Sequence, residues 1–382
     1  MSSMNQLLRI TSVITFAALP SFASLAMAKD FKTQTVTISA KTIASGLDHP
    51  WGLAFLPDGA LLVTERGGKI RIFKDGKVSR PVANVPKVAV RGEGGLLDVA
   101  LAPDFATSGR IYFSYTQPRQ DGVGTVMASA RLVRDADGAE LENVKVLLSV
   151  KQSTGGWSHF GSRILVAPDG NIFVTIGDQG TMKRSQDFRD KAGSILRIDA
   201  DGSAPSDNPF ADGGQALPEI WSKGHRNPQG LVWDAVTDSP LIVDHGAKGG
   251  DEINRPEAGK NYGWPVITYG VDYSGAKIGV GTHAKGYEQP LHYWDPSIAP
   301  SGLAVYDGAM FPEWKGDLLL GALKAQMLVR MDRDDKGAIK SEERMLKGAF
   351  GRIRDVRVAN DGSIYLLTDE GEGKIIRLTR AG

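Results

Sequence analysis

One phrase recurs along this chain and restricts the folds open to it: a short apolar strand, a tight turn and a second apolar strand. It reads W-G-L-A-F-L-P-D-G-A-L-L-V-T-E from Trp51 to Glu65, with K-I-R-I-F after a Gly-Gly turn. It returns as G-L-L-D-V-A-L-A-P-D-F from Gly95, R-I-L-V-A-P-D-G from Arg163, S-G-L-A-V-Y-D from Ser301 and D-V-R-V-A-N-D-G from Asp355. Between these lies a hairpin in which Leu231 to Asp234 and Leu241 to Asp244 alternate around a turn at Asp238, Ser239 and Pro240. About six such units at spacings of roughly 45 to 70 residues are the signature of a β-propeller with variable insertions. The expected fold is therefore all-β, a six-bladed propeller of four-stranded antiparallel blades, over residues 29–382 as one catalytic domain. No helix-periodic segment or linker-like stretch argues for two domains. Thr35 to Ile43 alternates as a strand and is expected to close the ring in the last blade. Residues 259–297, rich in Gly, Tyr and Trp, read as an insertion over one face.

Composition narrows the partners. Lys plus Arg (45) nearly balance Asp plus Glu (44) without long runs of one sign, so nothing favours nucleic acid or an anionic membrane surface. The absence of cysteine removes disulfides, thiolate catalysis and cysteine-ligated metals. At the N-terminus, Arg9 precedes an uncharged run from Ile10 that ends in Ala26-Met27-Ala28 before Lys29-Asp30. This pattern predicts a signal peptide over residues 1–28, cleaved after Ala28, and an exported, periplasmic protein. A membrane anchor would use the same apolar run, but Pro20 and the small residues at the cleavage site favour removal. No second stretch approaches a membrane span, so no stable membrane insertion is expected.

In a propeller, the segments that precede the first strand of each blade gather at one face, near the channel mouth. Those segments carry Glu93, His159, Arg226, Asn227, Arg352 and Arg354. Loops leaving second strands return to the same face with Asp178-Gln179-Gly180, His245-Gly246 and Asp369-Glu370, and Lys324 arrives in the same way. Arg226, Lys324, Arg352 and Arg354 thus form a cationic ring suited to a polyanion, unless each pairs with an acidic neighbour across the blades. His159, at the mouth of that ring, is the candidate general base, although Trp157 and Phe160 are also suited to burying it. His225 and His245 share the rim, but no histidine spacing supports zinc. The segment from Gly249 to Pro265 carries Asp251 and Glu252 among glycines and open carbonyls, hard oxygen ligands of the kind calcium prefers; an ordinary capped turn would look similar.

The phrases G-H-R-N-P-Q-G-L, D-E-I-N with G-K-N-Y-G-W-P, G-G-L-L-D-V-A-L-A-P-D-F, I-G-D-Q-G and R-I-R-D-V resemble the soluble quinoprotein glucose and aldose sugar dehydrogenases. These carry pyrroloquinoline quinone (PQQ) on a six-bladed propeller, and the similarity runs from about Trp51 to Leu378. The resemblance implies that His159 takes the proton of the anomeric hydroxyl while hydride passes from C1 to the quinone C5. It assigns Arg226 and Asn227 to the quinone, and Lys324, Arg352 and Arg354 to the cofactor's carboxylates. It assigns the carbonyls of Gly246 and Ala247 to a calcium ion beside PQQ, and Glu252 with the Tyr262 carbonyl to a second calcium. Glu93 stands where glucose dehydrogenases have glutamine, and Ser158 where they have aspartate, so Glu93 is expected to act beside His159 as its negative partner or to orient substrate. The implied activity is oxidation of aldoses to lactones, with electrons passed to an external acceptor of unknown identity. A calcium-dependent lactonase and a non-catalytic ligand-binding propeller are the competing readings.

Overall fold

The computed structural model of the protein describes residues 27–119, 122–136, 138–151 and 157–382. Most of the expected signal peptide lies outside the described residues. The six repeats form six antiparallel sheets, one blade each, in chain order. Their first strands are Pro50–Phe55, Leu96–Leu101, Ile164–Val166, Pro228–Asp234, Pro300–Val305 and Ile353–Val358, and they pack against one another around the ring. The recurring turns close alike. Leu56 N–H bonds to Ala60 O at 2.8 Å, Ala167 N–H to Asn171 O at 2.8 Å and Ala359 N–H to Ser363 O at 2.8 Å. Each turn places a glycine (Gly59, Gly170, Gly362) in the left-handed region, where a side chain would be strained.

The ring closes as the alternation of the N-terminal segment predicts. The strand Thr37–Leu47 runs antiparallel to Gly373–Arg380, so the first part of the chain supplies the outer strand of the sixth blade. Lys29–Lys32 adds a fifth strand outside it. Apolar residues are buried between blades as well as within them. Six clusters fill the six interfaces, such as Leu62, Ile70, Val99 and Phe113 between blades 1 and 2, and Tyr306, Trp314, Leu366 and Ile376 between blades 5 and 6. The core is thus distributed around the ring, and the axis is left to polar groups.

What occupies the axis follows from one position in the repeat. The residue before Leu53, Val99, Ile164, Leu231, Leu303 and Val356, an equivalent position of the six inner strands, is Gly52, Asp98, Arg163, Gly230, Gly302 and Asp355 in turn. Arg163 reaches Asp98 at 3.1 Å and Asp355 at 3.0 Å, and Arg357 reaches the same two carboxylates at 3.0 and 2.9 Å. Arg163 also donates to Gln229 O at 2.7 Å and Arg354 O at 3.0 Å, and its guanidinium lies 4.1 Å from the Trp51 ring centre. One buried side chain of blade 3 therefore touches blades 1, 2, 4 and 6. The glycines make room: a Cβ at Gly52 or Gly302 would lie 2.6 or 2.5 Å from Asp98 or Asp355 oxygen.

Residues 259–291 lie within blade 4, between its third strand Asp251–Asn254 and its outermost strand His292–Trp294, so the end of the stretch read as an insertion is a strand of the blade itself. Among the described residues no helix is long and apolar enough to cross a membrane.

Candidate active site

The hairpin of blade 4 positions the H-R-N segment. Pro228 pairs with Asp244 across its two strands, and the Asp244 carboxylate accepts the backbone N–H of Arg226 at 3.0 Å and of Asn227 at 2.6 Å. One carboxylate thereby fixes two candidate cofactor residues. Arg226 then donates from one terminal nitrogen to His245 O at 3.1 Å and lies over Trp264, 5.4 Å from its ring centre. Its Nε is buried without a partner. Asn227 Oδ1 accepts the Gly161 N–H at 3.0 Å, tying this segment to the loop that carries His159.

His159 sits in the left-handed backbone region, at φ +60°. Its carbonyl approaches Gly177 so closely that a Cβ there would lie 2.1 Å away, which accounts for the glycine in I-G-D-Q-G. Its Nδ1 lies 2.7 Å from Asp178 Oδ1, and the other Asp178 oxygen accepts the Trp264 indole N–H at 2.8 Å. Asp178 is fully buried. A carboxylate accepts, so the proton of this bond belongs to Nδ1, and in the neutral ring Nε2 carries the lone pair. The ring's acidic partner is thus Asp178, named in the sequence only as a rim residue. Glu93 instead accepts the backbone N–H of His159 at 2.8 Å, fixing the loop while its carboxylate lines the cleft.

That cleft, of ≈450 Å³, is lined by Glu93, Arg352 and Arg354 together with His49, Gln229, His245, Tyr273, Asp369 and neighbours. The cationic ring is partly neutralised, the alternative weighed from the sequence. Arg354 pairs with Asp369 at 2.5 Å and donates to Gln229 Oε1 at 2.5 Å, while Arg352 lies 3.5 Å from Asp369. His49 Nδ1 is 2.9 Å from the same carboxylate. Burial alone would raise the Asp369 carboxyl, but the Arg354 charge and hydrogen bond, then His49 and Arg352, hold it well below the usual range. Arg354 Nε nevertheless remains buried without a partner. Lys324 is exposed beside the cleft residue Leu323 and makes no hydrogen bond or ion pair among the described residues.

His245, the other rim histidine, is half-buried at the cleft wall, and its Nε2–H donates to Pro300 O. Burial first, then the charges of Arg226 and Arg354, push it down to about 3, so it is neutral near pH 7. His225 is buried against Tyr262, with ring centres 5.0 Å apart, and bonds to Ser222 Oγ at 2.9 Å.

The glycine-rich loop after the hairpin is organised by Asp251, whose carboxylate accepts the N–H of Gly246 at 2.9 Å, Ile298 at 2.7 Å and Ala299 at 3.0 Å. Gly246 has no room for a side chain, since a Cβ would lie 2.1 Å from Gly249 O. Ala247 is buried against Trp264 and Ile278. Burial pushes the Glu252 carboxyl up to about 8; the charges of Asp244 and Asp251 add to this, against a hydrogen bond from Asn254 at 2.9 Å. Asn254 Oδ1 is buried without a donor. Tyr262 bonds through its hydroxyl to Arg255 O and through its amide N–H to Lys223 O. Among the described residues no three His, Asp or Glu side chains converge as a metal cluster.

The fold is a six-bladed propeller; Arg354 lines its cleft, His159 and Arg226 are not among the cleft's lining residues, and both arginines keep a buried, unpartnered Nε. The chain belongs to the glucose/sorbosone dehydrogenase family, whose family model matches residues 47–377, and it is an oxidoreductase of that family. Aldose sugar dehydrogenase YliI of Escherichia coli K12 is 42% identical over 349 residues, covering 90% of this chain and 93% of that protein. A crystal structure of a glucose dehydrogenase superposes with a TM-score of 0.85 at 43% identity, covering 90% of this chain and 99% of the other. The PQQ-bound form of an aldose sugar dehydrogenase from Streptomyces coelicolor gives 0.73 at 29% identity, covering 90% and 98%.

Proposed function

We propose that this protein oxidises aldoses at C1 to the corresponding lactones in the periplasm, using PQQ and calcium and passing electrons to an external acceptor. The observation that carries this reading is a partly exposed His159 held by the buried Asp178, together with Arg226 and Arg354, each with an unpartnered buried Nε. An unpaired buried donor costs roughly 1–3 kcal/mol, so these arginines fit an anionic planar ligand with acceptors on its edge.

PQQ, when bound, supplies the two-electron acceptor that no side chain of this chain can provide. Arg226 and Asn227 would hold its quinone side, and Lys324, Arg352 and Arg354 its carboxylates. His159 Nε2 takes the proton of the C1 hydroxyl as that carbon is oxidised. Asp178 keeps the ring in the productive tautomer and stabilises the imidazolium that forms. Glu93, anchored on the His159 amide, presents its carboxylate to the cleft, where it would accept from a sugar hydroxyl. A calcium ion fits the loop chemistry: the half-buried Glu252 carboxylate and the buried, unpartnered Asn254 Oδ1 are oxygen acceptors, while Gly246, Ala247 and Tyr262 would offer carbonyls.

Purified protein reconstituted with PQQ and calcium should reduce an electron-accepting dye when an aldose is added. Lactone hydrolysis without PQQ would replace this reading with the lactonase. Failure of both, with PQQ demonstrably bound, would leave a ligand-binding propeller.

A further inference from the structure

A second histidine–aspartate pair stands at the cleft, and the reaction above does not use it. His49, just before the first strand of blade 1, has its Nδ1 2.9 Å from Asp369 Oδ1, as His159 has its own 2.7 Å from Asp178 Oδ1. Like His159, it sits in the left-handed backbone region, at φ +47°. The surroundings impose that conformation. His49 N–H donates to Glu370 O at 2.9 Å, its carbonyl accepts the Arg66 N–H at 3.1 Å, and the Asp48 N–H before it donates to Glu65 Oε1 at 2.7 Å. The ring is 35% exposed and lines the cleft with Arg352 and Arg354. Held by its backbone and by Nδ1, it keeps an Nε2 without a hydrogen bond to any described residue.

The neighbouring charges decide what that nitrogen can hold. Asp369 gives its other oxygen to Arg354 at 2.5 Å, with Arg352 at 3.5 Å. The other charged groups on the adjoining segments and the cleft wall have partners of their own or face water. Arg66 donates to Gly92 O at 2.6 Å, Glu370 accepts the Arg352 amide N–H at 3.3 Å, Glu65 pairs with Arg71 at 3.3 Å, Glu93 accepts the His159 amide N–H, and Asp48 is exposed. A carboxylate accepts, so the proton shared with Asp369 is on Nδ1, and Nε2 of the neutral ring is itself an acceptor. A carboxylate drawn in by Arg352 and Arg354 would then meet acceptor with acceptor. One proton on Nε2 turns that contact into a charge-assisted hydrogen bond.

We propose that His49 is a further cofactor-holding residue, which takes one proton from solvent onto Nε2 when a PQQ carboxylate binds beside Arg352 and Arg354. Asp369 stabilises the imidazolium so formed, and the proton returns to solvent when the cofactor leaves. This rests on the PQQ-binding reading above and adds a consequence to it. Because binding takes up a proton, affinity for the cofactor falls as pH rises.

The test is calorimetric titration of PQQ into the calcium-loaded protein, in pairs of buffers of different ionisation heat, which counts the protons taken up. A charge-assisted bond worth about tenfold in affinity moves the imidazole titration by about one pH unit, so uptake should peak at about half a proton within the range where imidazoles titrate, about pH 5–8. His49→Gln keeps an N–H for Asp369 but cannot take the charge, and should abolish that peak. It should bind PQQ about tenfold more weakly than wild type at about pH 5.5 and equally well at about pH 9. His49→Asn, which tolerates the left-handed backbone, should lose the same uptake with Tm kept, so a folding defect in the glutamine variant would not mask the result. His159→Gln should retain the uptake. No uptake by wild type, uptake unchanged in both His49 variants, or uptake lost with His159 instead would each overturn the assignment. If wild type binds PQQ at no pH, the dehydrogenase reading itself falls. If it binds PQQ and reduces dye with aldose but takes up no proton, only the role of His49 falls.

Discussion

His159 gains its candidate role from two bonds of different kinds, one to its ring and one to its backbone. The ring bond to Asp178 selects the tautomer; the backbone bond to Glu93 fixes the loop. Substitutions should separate them. His159→Ala should leave PQQ loading intact and lower turnover by about 10²–10⁴-fold, as loss of a general base does. Asp178→Asn should lower kcat with KM for sugar little changed and shift the pH profile of kcat, because the amide no longer stabilises the imidazolium. Glu93→Gln keeps an acceptor for the His159 amide and should leave PQQ affinity unchanged; weaker PQQ binding would assign Glu93 to the cofactor. The sequence shows His159 by its place in the repeat, since every segment before a first strand reaches the same rim. Asp178 and Asp369 escape their roles there because each depends on which neighbour a charge faces. Asp369 faces Arg352, Arg354 and His49, and only the folded ring shows that Arg354 and His49 are its shortest partners.

The calcium proposal can be tested on the loop after the blade-4 hairpin. Its Glu252 carboxyl, ordinarily near 4.5, is held up to about 8 by burial and by the charges of Asp244 and Asp251. Between those values the folded protein keeps a proton that the unfolded chain has released, so stability falls as pH rises through the window. The calcium-free protein should therefore lose Tm from about pH 5 to pH 8, and Glu252→Gln should flatten that slope. Calcium requires the carboxylate, so its addition should raise Tm more at pH 8 than at pH 5. Differential scanning fluorimetry in chelator and in calcium checks both statements; a slope unchanged by Glu252→Gln would remove Glu252 as its source. The hairpin that leads into this loop was legible because alternation and a Ser-Pro turn define it locally. The insertion from 259 to 297 was legible only as an insertion. Its turns are closed by isolated bridges such as Lys223 to Asn261 and Lys248 to Val271, pairings with no periodic signature.

At the scale of the whole ring, the repeat specifies both the blades and what closes them. The six apolar phrases and the alternating N-terminal strand make the propeller readable, because each blade buries one face against the next. The axis is harder to read: a single position varies among Gly, Asp and Arg, and its meaning lies in the set of six. Three glycines leave space, two aspartates supply charge and Arg163 spans them, so the six inner strands meet through a buried network with two positive and two negative groups. Removing one partner from such a network strands the others. Arg163→Met should destabilise the protein by about 3–5 kcal/mol, because Arg357 alone then faces two buried carboxylates. Adding Asp98→Asn to that variant restores charge balance, leaving Arg357 with Asp355, and should recover part of the loss. Chemical denaturation of the two variants against wild type decides the matter. If Arg163→Met costs less than about 1 kcal/mol, the interfaces between blades hold the ring without the axial network, and Arg163 serves only to fix Gln229 and the Arg354 backbone under the cleft.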